Sequence, residues 1–175
     1  MTTGAAPVAA FDLDVVRQVL QSRAGERVAL SHLFDKGAYA RSFALPHELD
    51  DALRWVEDRA SSQHTVSIGV ASLSEAGGRR LVESSTRTRP RTGEHAGYAW
   101  VAADLDPKVG QEQDTLHAQL GRFPHLPTLL ASSGRGLHAW WHLAEPVNVE
   151  TGRALCQDLA RALSGDPGAA DEGRC

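Results

Sequence analysis

The sequence contains few cysteines, and their placement excludes two common ways of stabilising a small protein. Only Cys156 and Cys175 are present, and neither stands in a Cys-x-x-Cys pair. Two isolated thiols cannot build a disulfide framework, and their spacing does not match a structural zinc site. We therefore expect plain thiols and no zinc.

Long hydrophobic runs are also missing. No apolar segment approaches the roughly 20 residues that cross a bilayer, and the N-terminus lacks the basic-then-apolar order of a secretory signal. We expect a cytoplasmic protein with no membrane partner. Hydrophobic residues make up 42% of the 175 residues, which is enough for one compact domain with a proper core. Residues 1–10 are small and polar, and we expect them to be disordered.

An excess of basic residues is missing as well. The formal net charge of −4 argues against a surface that grips nucleic acid all over. One local exception is the arginine segment, 79–91, in which Glu83 is the only acidic residue. Its basic residues are Arg79, Arg80, Arg87, Arg89 and Arg91. A phosphate-tracking loop and a solvated surface loop both fit this composition.

The N-terminal half gives a mixed signal. Apolar residues recur with helical spacing at 15–20 and again over 48–60, and Asp12 or Asp14 can cap the first of these helices. Residues 65–73 alternate as in a strand. The stretch between the two helices is ambiguous, and we interpret the arginine segment as a long loop or a loose hairpin.

The C-terminal half gives a clearer order. The pattern predicts a strand over 98–103, a helix over 112–120, strands over 127–132 and 137–143, and a helix over 149–163. This order is a ferredoxin-like βαββαβ unit without its last strand. We predict an α+β fold in which a smaller α/β part, 11–96, precedes an RRM-like part, 97–175. We also expect the missing strand to follow Cys175 in a longer version of the protein.

The tripeptide Asp-Leu-Asp occurs twice. At Asp12 and Asp14 it precedes a helical pattern, which favours helix capping. Asp104 and Asp106 instead end a predicted buried strand, where residues two apart share a face. Two converging carboxylates repel each other unless a cation binds them. Solvated turn residues beside Pro107 are the alternative.

A second constellation covers residues 132–138, Ser-Ser-Gly-Arg-Gly-Leu-His. Its glycines allow a close backbone approach, its hydroxyls suit phosphate oxygens, and Arg135 offers a fixed fork of donors. His138 opens the next strand and can donate to the same anion. A triphosphate site is one interpretation, and a simple hairpin turn is the other.

Topology brings these segments together. In the ferredoxin-like order the first and third strands are antiparallel neighbours, so Asp106 and His138 should lie close to each other. The fourth strand lies antiparallel on the other side of the first strand, so the fourth strand begins beside the end of the first. Asp166 and Asp171 stand at that beginning, so we expect a third carboxylate there.

These motifs resemble those of a known superfamily. Trp-Val-Ala-Ala-Asp-Leu-Asp (100–106) resembles the first motif of the archaeo-eukaryotic primases, and Ser-Gly-Arg-Gly-Leu-His-Ala-Trp-Trp (133–141) is similar to the second. Gly165-Asp166 is similar to the third motif, with Asp171 as a substitute. The match covers roughly 98–175 and is nearest to the bifunctional primase-polymerase domains of bacterial plasmids and phages.

The resemblance implies a metal-dependent DNA primase and polymerase. It implies a two-metal site for Mg²⁺ or Mn²⁺ at Asp104, Asp106 and Asp166, and triphosphate binding by Ser133, Arg135 and His138. The implied partners are nucleoside triphosphates, a single-stranded DNA template with its primer, and possible helicase domains. Two alternatives keep the same features: a palm-type nucleotidyl cyclase, and a non-catalytic RRM-like module that binds nucleic acid by stacking.

The remaining aromatic residues are interpreted more plainly. We expect His64, His95, His117 and His125 to lie on the surface. Trp140 and Trp141 alternate faces of their strand, so that one can pack in the core while the other supports a base or the template. Core packing of both tryptophans is the plainer interpretation.

Overall fold

The computed structural model describes residues 13–34, 37–60, 65–83, 89–107, 113–132 and 136–164. Its elements are α1 Leu13–Gln21, β1 Arg27–Phe34, β2 Gly37–Ala44, α2 Leu49–Ala60, β3 Thr65–Ile68, β4 Ser72–Leu73, α3 Glu75–Glu83, β5 His95–Leu105, α4 Gln113–Arg122, β6 Leu129–Ser132, β7 Leu137–Val147 and α5 Val149–Ala162. Two antiparallel sheets and five helices confirm the predicted α+β class. Asp14 lies inside the first turn of α1, whereas Asp12 is outside the described residues.

The first sheet has the strand order β2-β1-β3, with β1 in the centre. One face packs against α1 and α2 through Leu20, Val28, Leu30, Phe43, Leu53, Trp55 and Val56, all buried. Burial of each such large side chain contributes about 1.5–3 kcal/mol. The β1–β2 hairpin occupies the stretch that the sequence left ambiguous. Ala29 and Ala40 face the other side, where they pack with Leu73 and Leu81.

The arginine segment does not form the predicted loop throughout, because residues 75–83 are the helix α3. Gly77 and Gly78 lower its helix propensity and so hide it in the sequence. Both glycines serve close packing. A Cβ on Gly77 would stand 2.6 Å from the Cβ of Glu94, and one on Gly78 would stand 2.1 Å from the Cδ of Arg27. The Oγ of Ser42 also donates a 2.9 Å hydrogen bond to the carbonyl of Gly78.

The second sheet has the strand order β4-β5-β7-β6 and is antiparallel throughout. The long strands β5 and β7 are therefore neighbours, as the ferredoxin-like order predicts. The short strand β4 pairs with the beginning of β5, through Ser72 with Gly97 and Leu73 with His95. This is the side of β5 on which the sequence placed the last strand of the unit.

Helix α5 covers one face of the second sheet. The side chains that face the sheet are small: Gly152, Cys156 and Ala160 are buried. A Cβ on Gly152 would stand 2.3 Å from the ring of Tyr98, so this ring occupies the space that a larger residue would need. Ala154 and Leu155 are exposed and so do not belong to the buried side of this helix. Desolvation raises the pKa of the buried Cys156 thiol, which makes it an unreactive core residue.

A buried ion pair holds the segment that connects the first sheet to the second. The guanidinium of Arg23, with no exposed surface, lies 2.6 Å from a carboxylate oxygen of Glu26, whose side chain is 13% exposed. Arg23 also donates to the carbonyls of Gly69 and Val70, the latter at 2.8 Å. The hydroxyl of Ser72 donates to the same carboxylate oxygen. The ion pair of Arg23 with Glu26 thus links the turn after α1 to the end of β3 and the start of β4.

Replacing Arg23 by methionine should destabilise the fold by about 3–5 kcal/mol, because Glu26 then keeps a buried charge without its partner. Urea unfolding followed by circular dichroism measures this change. Arg54→Met is the matched control, since its pair with Asp51 is exposed and should be worth less than about 1 kcal/mol. Equal stability of the two variants would contradict the structural role of Arg23.

Candidate active site

Asp104 and His138 face each other across the two central strands. The residues are direct cross-strand partners in β5 and β7. The Oδ1 of Asp104 lies 3.2 Å from the Nε2 of His138, and their side chains are 36% and 46% exposed. The sequence paired His138 with Asp106 at this edge. The register instead pairs His138 directly with Asp104, two residues before Asp106.

The Oδ1 atom of Asp104 is buried and accepts no hydrogen bond of good geometry from the described residues. The nearby imidazole of His138 is within ion-pair distance but is not aligned for a hydrogen bond. A buried carboxylate oxygen without a donor costs free energy unless a cation or another donor satisfies it. This oxygen is therefore one that a cation or another donor could satisfy.

Asp106 follows the end of β5 and is exposed. It lies beside Gly136, the residue that precedes β7. A Cβ on Gly136 would stand 2.2 Å from the carbonyl oxygen of Leu105 and 2.9 Å from the Oδ1 of Asp106. Only glycine allows this approach, so the glycine-rich turn and the second carboxylate meet at one point. Ser133 and Arg135 belong to the same turn but lie outside the described residues.

Carboxylate oxygens are the groups that a hard divalent cation such as Mg²⁺ or Mn²⁺ prefers in proteins. Among the described residues, no group of three or more His, Cys, Asp or Glu side chains could hold a metal ion. Asp166 and Asp171 fall outside those residues. The third carboxylate therefore stays a prediction, and the described part supplies two carboxylates and one imidazole.

The face that carries Asp104 and His138 continues along the sheet. The next cross-strand pairs on it are Ala102 with Trp140 and Trp100 with His142. Trp140 is buried in a core cluster that also contains Val19 of α1 and Val70. The first part of the chain therefore covers this end of the site face, while His138 stays accessible.

Trp141 lies on the opposite face. Its Nε1 donates a 2.9 Å hydrogen bond to the carbonyl of His125, and its ring packs edge-on against Phe123. Both tryptophans are buried, so neither is the exposed base support that the sequence suggested for one of them. His142 is, with His138, an exposed ring on the site face. The sequence pattern could have indicated it, because residues 138 and 142 share a face of the same strand.

Two of the arginines in the arginine segment are engaged in ion pairs on α3. Arg79 pairs with Glu75 at 2.8 Å, and Arg80 forms a two-pronged pair with Glu94. Hydrogen bonding from Arg80 lowers the pKa of Glu94, and the same bond raises the pKa of Arg80. These two arginines therefore do not lie on an open loop.

Arg80 also binds the chain that follows α3. Its Nη2 also donates to the carbonyl of Arg89, at 2.9 Å. Arg89 and Arg91 are exposed, while Arg87 lies outside the described residues. Arg89 and Arg91 therefore lie accessible to solvent just before β5.

The remaining histidines follow the prediction in part. His117 and His125 are exposed. His95 is buried, because β5 begins three residues earlier than predicted and pairs there with β4. His64 lies outside the described residues. None of the described helices is long and apolar enough to cross a membrane.

The fold is similar to that of a known polymerase domain. No protein-family model and no curated protein matches the sequence. Among solved structures, the chain is similar to the AEP domain of the primase-polymerase (PrimPol) of cyanophage S-2L, with a TM-score of 0.59 and 16% sequence identity. The similarity covers 94% of this chain and 80% of that one. At this identity, the likeness shows a shared AEP-like fold.

Replacing Glu94 by glutamine should lower stability in a pH-dependent way. The pKa of Glu94 is lowered in the folded state, so its contribution is present above the unfolded value of about 4.3 and is lost as the pH falls through the folded value. We expect the variant to be about 1–2 kcal/mol less stable at pH 7, with the difference shrinking as the pH falls below about 4.3. Thermal unfolding at several pH values measures it.

Glu75→Gln is the matched control for this titration, since the Glu75–Arg79 pair is exposed. It should change stability by less than about 0.5 kcal/mol at any pH. A Glu94→Gln difference that stays constant between pH 7 and pH 3 would show that charge pairing is not the cause.

Proposed function

We propose that this chain is a DNA primase and polymerase, a nucleotidyltransferase that makes and extends primers on a template in a metal-dependent reaction. One observation carries the proposal. Asp104, with its desolvated oxygen, faces His138 at the edge where Asp106 meets Gly136. The AEP-like fold places this arrangement in a scaffold that a primase-polymerase domain also uses.

In this proposal Asp104 and Asp106, with Asp166 or its substitute Asp171, hold Mg²⁺ or Mn²⁺. The metal ions would neutralise the phosphate charge and favour attack by a 3′-hydroxyl. The two carboxylates supply anionic oxygens at one end of the β5–β7 pair. The buried Oδ1 of Asp104 needs no further desolvation on binding, which favours tight and oriented ligation.

The chain's own donors would hold the triphosphate. The half-exposed imidazole of His138 stands beside Asp104, where it can donate a hydrogen bond to a phosphate oxygen. Ser133 and Arg135 add a hydroxyl and a guanidinium in the adjoining turn. Catalysis in this scheme is mainly positioning and charge stabilisation.

The nucleic acid would extend away from this centre. Arg89 and Arg91 precede the first residue of β5, whereas Asp104 is close to its end. Nine residues of strand at about 3.4 Å each place the two ends roughly 30 Å apart. These arginines, together with Arg87, would therefore contact the backbone of the template or primer rather than the triphosphate. Arg79 and Arg80 would contribute less, because they are already paired.

Replacing Asp104 by asparagine should reduce template-directed incorporation of labelled nucleotide by about 10²-fold or more, because a metal ligand becomes neutral. His138→Ala should lower incorporation and raise the KM for the triphosphate. Glu57→Gln, at an exposed position of α2, is the control. Unimpaired synthesis by Asp104→Asn would refute the metal role.

The same assay separates the two alternative functions. A nucleotidyl cyclase would consume triphosphate without added DNA and release a cyclic product. A non-catalytic RRM-like module would bind oligonucleotides equally well after chelation of divalent cations and would incorporate no nucleotide.

Replacing Arg89 and Arg91 together by alanine should weaken binding of single-stranded DNA and flatten its salt dependence. Each lost phosphate contact lowers the slope of log Kd against log salt by about 0.7. Fluorescence anisotropy over a range of salt concentrations measures the slope. Arg79→Ala is the control, and it should leave the slope unchanged because the Arg79 side chain is already paired with Glu75. An unchanged slope in the double variant would exclude both arginines from the interface.

A further inference from the structure

A pair of adjoining aromatic rings, tilted to each other, lies on the site face away from the carboxylates. Trp100 and His142 are direct cross-strand partners, and their ring centroids are 4.7 Å apart at an interplanar angle of 51°. Trp100 is 3% exposed, whereas His142 is exposed. The histidine ring is therefore supported from below by an indole and is open to solvent above.

The position of this ring pair follows from the register. His142 stands four residues after His138 on β7, which corresponds to about 14 Å along the strand. The pair between them is Ala102 with Trp140, and Leu129 of β6 lies beside Trp140. This span is apolar. Ala102 and Trp140 are buried, so His138 and His142 are exposed at two separate places on this face.

The ring of His142 is held in place without a polar contact to the indole. The backbone N–H of His142 donates a 3.0 Å hydrogen bond to the hydroxyl of Thr128. The Nε1 of Trp100 is buried and has no hydrogen-bond partner among the described residues. The contact of Trp100 with His142 is therefore one between two tilted ring surfaces.

We propose that His142, supported by Trp100, stacks on a nucleobase. The inference rests on the proposed function, and the base belongs either to the incoming nucleotide or to the template strand. Every base has a π-face, so this contact would be insensitive to base sequence. Because stacking neutralises no phosphate, its loss would also leave the salt dependence of binding unchanged.

The test compares three variants at this position. His142→Ala and His142→Gln remove the ring, and His142→Phe keeps a ring without nitrogen. We expect the first two to weaken binding about 5- to 50-fold, with kcat within about two-fold and the salt slope unchanged. His142→Phe should restore most of the affinity. His117→Ala, at an exposed position of α4, should behave as the wild type.

Two measurements locate the base. The Kd of a fluorescent single-stranded oligonucleotide, taken in the presence of a chelator, reports on the template strand. The KM of the nucleoside triphosphate reports on the incoming base. A change confined to one of them identifies which base stacks on His142.

Several outcomes would overturn the inference. These are wild-type values of both Kd and KM in the alanine and glutamine variants, a phenylalanine variant as weak as the alanine one at equal Tm, or a changed salt slope. A wild-type chain that binds neither oligonucleotide nor triphosphate would overturn it as well. If Asp104→Asn retains synthesis while His142→Ala loses oligonucleotide binding, the metal proposal fails and the stacking contact stands.

Discussion

The antiparallel pairing of β5 with β7 is the constraint on which the rest of the site depends. Its register places Asp104 opposite His138 and Trp100 opposite His142. Since side chains alternate along a strand, a slip by one residue would move either set to the other face of the sheet. The buried Trp141 opposes such a slip, because its ring is packed against Phe123 and its N–H is hydrogen-bonded.

The two faces of the second sheet are covered to different extents. Helix α5 covers one face with small side chains that leave room for Tyr98. The other face is covered only in part, by residues of α1 and of the segment after β3. The ion pair of Arg23 with Glu26 holds that segment in position. The accessible part of the site face is therefore the part that these residues leave uncovered.

Two kinds of observation underlie the proposal of nucleotidyl transfer. The shared fold with a primase-polymerase domain is a property of the backbone, and at 16% identity it carries no information about individual side chains. The placement of Asp104, Asp106 and His138 is a property of particular residues in this chain. Their agreement supports the proposal more than either does alone, since a fold by itself hosts many activities.

The sequence by itself determined the helices α2, α4 and α5 approximately, the order of elements after residue 97, and the segments that carry the carboxylates and the imidazole. Strong periodicity and local turn chemistry are sufficient for these features. Only the tertiary structure decided the β1–β2 hairpin, the helix α3 with its two glycines, the pairing of Arg80 with Glu94 and the burial of His95. The last three depend on partners distant in sequence, and the hairpin depends on its packing against α1 and α2, which no local pattern specifies.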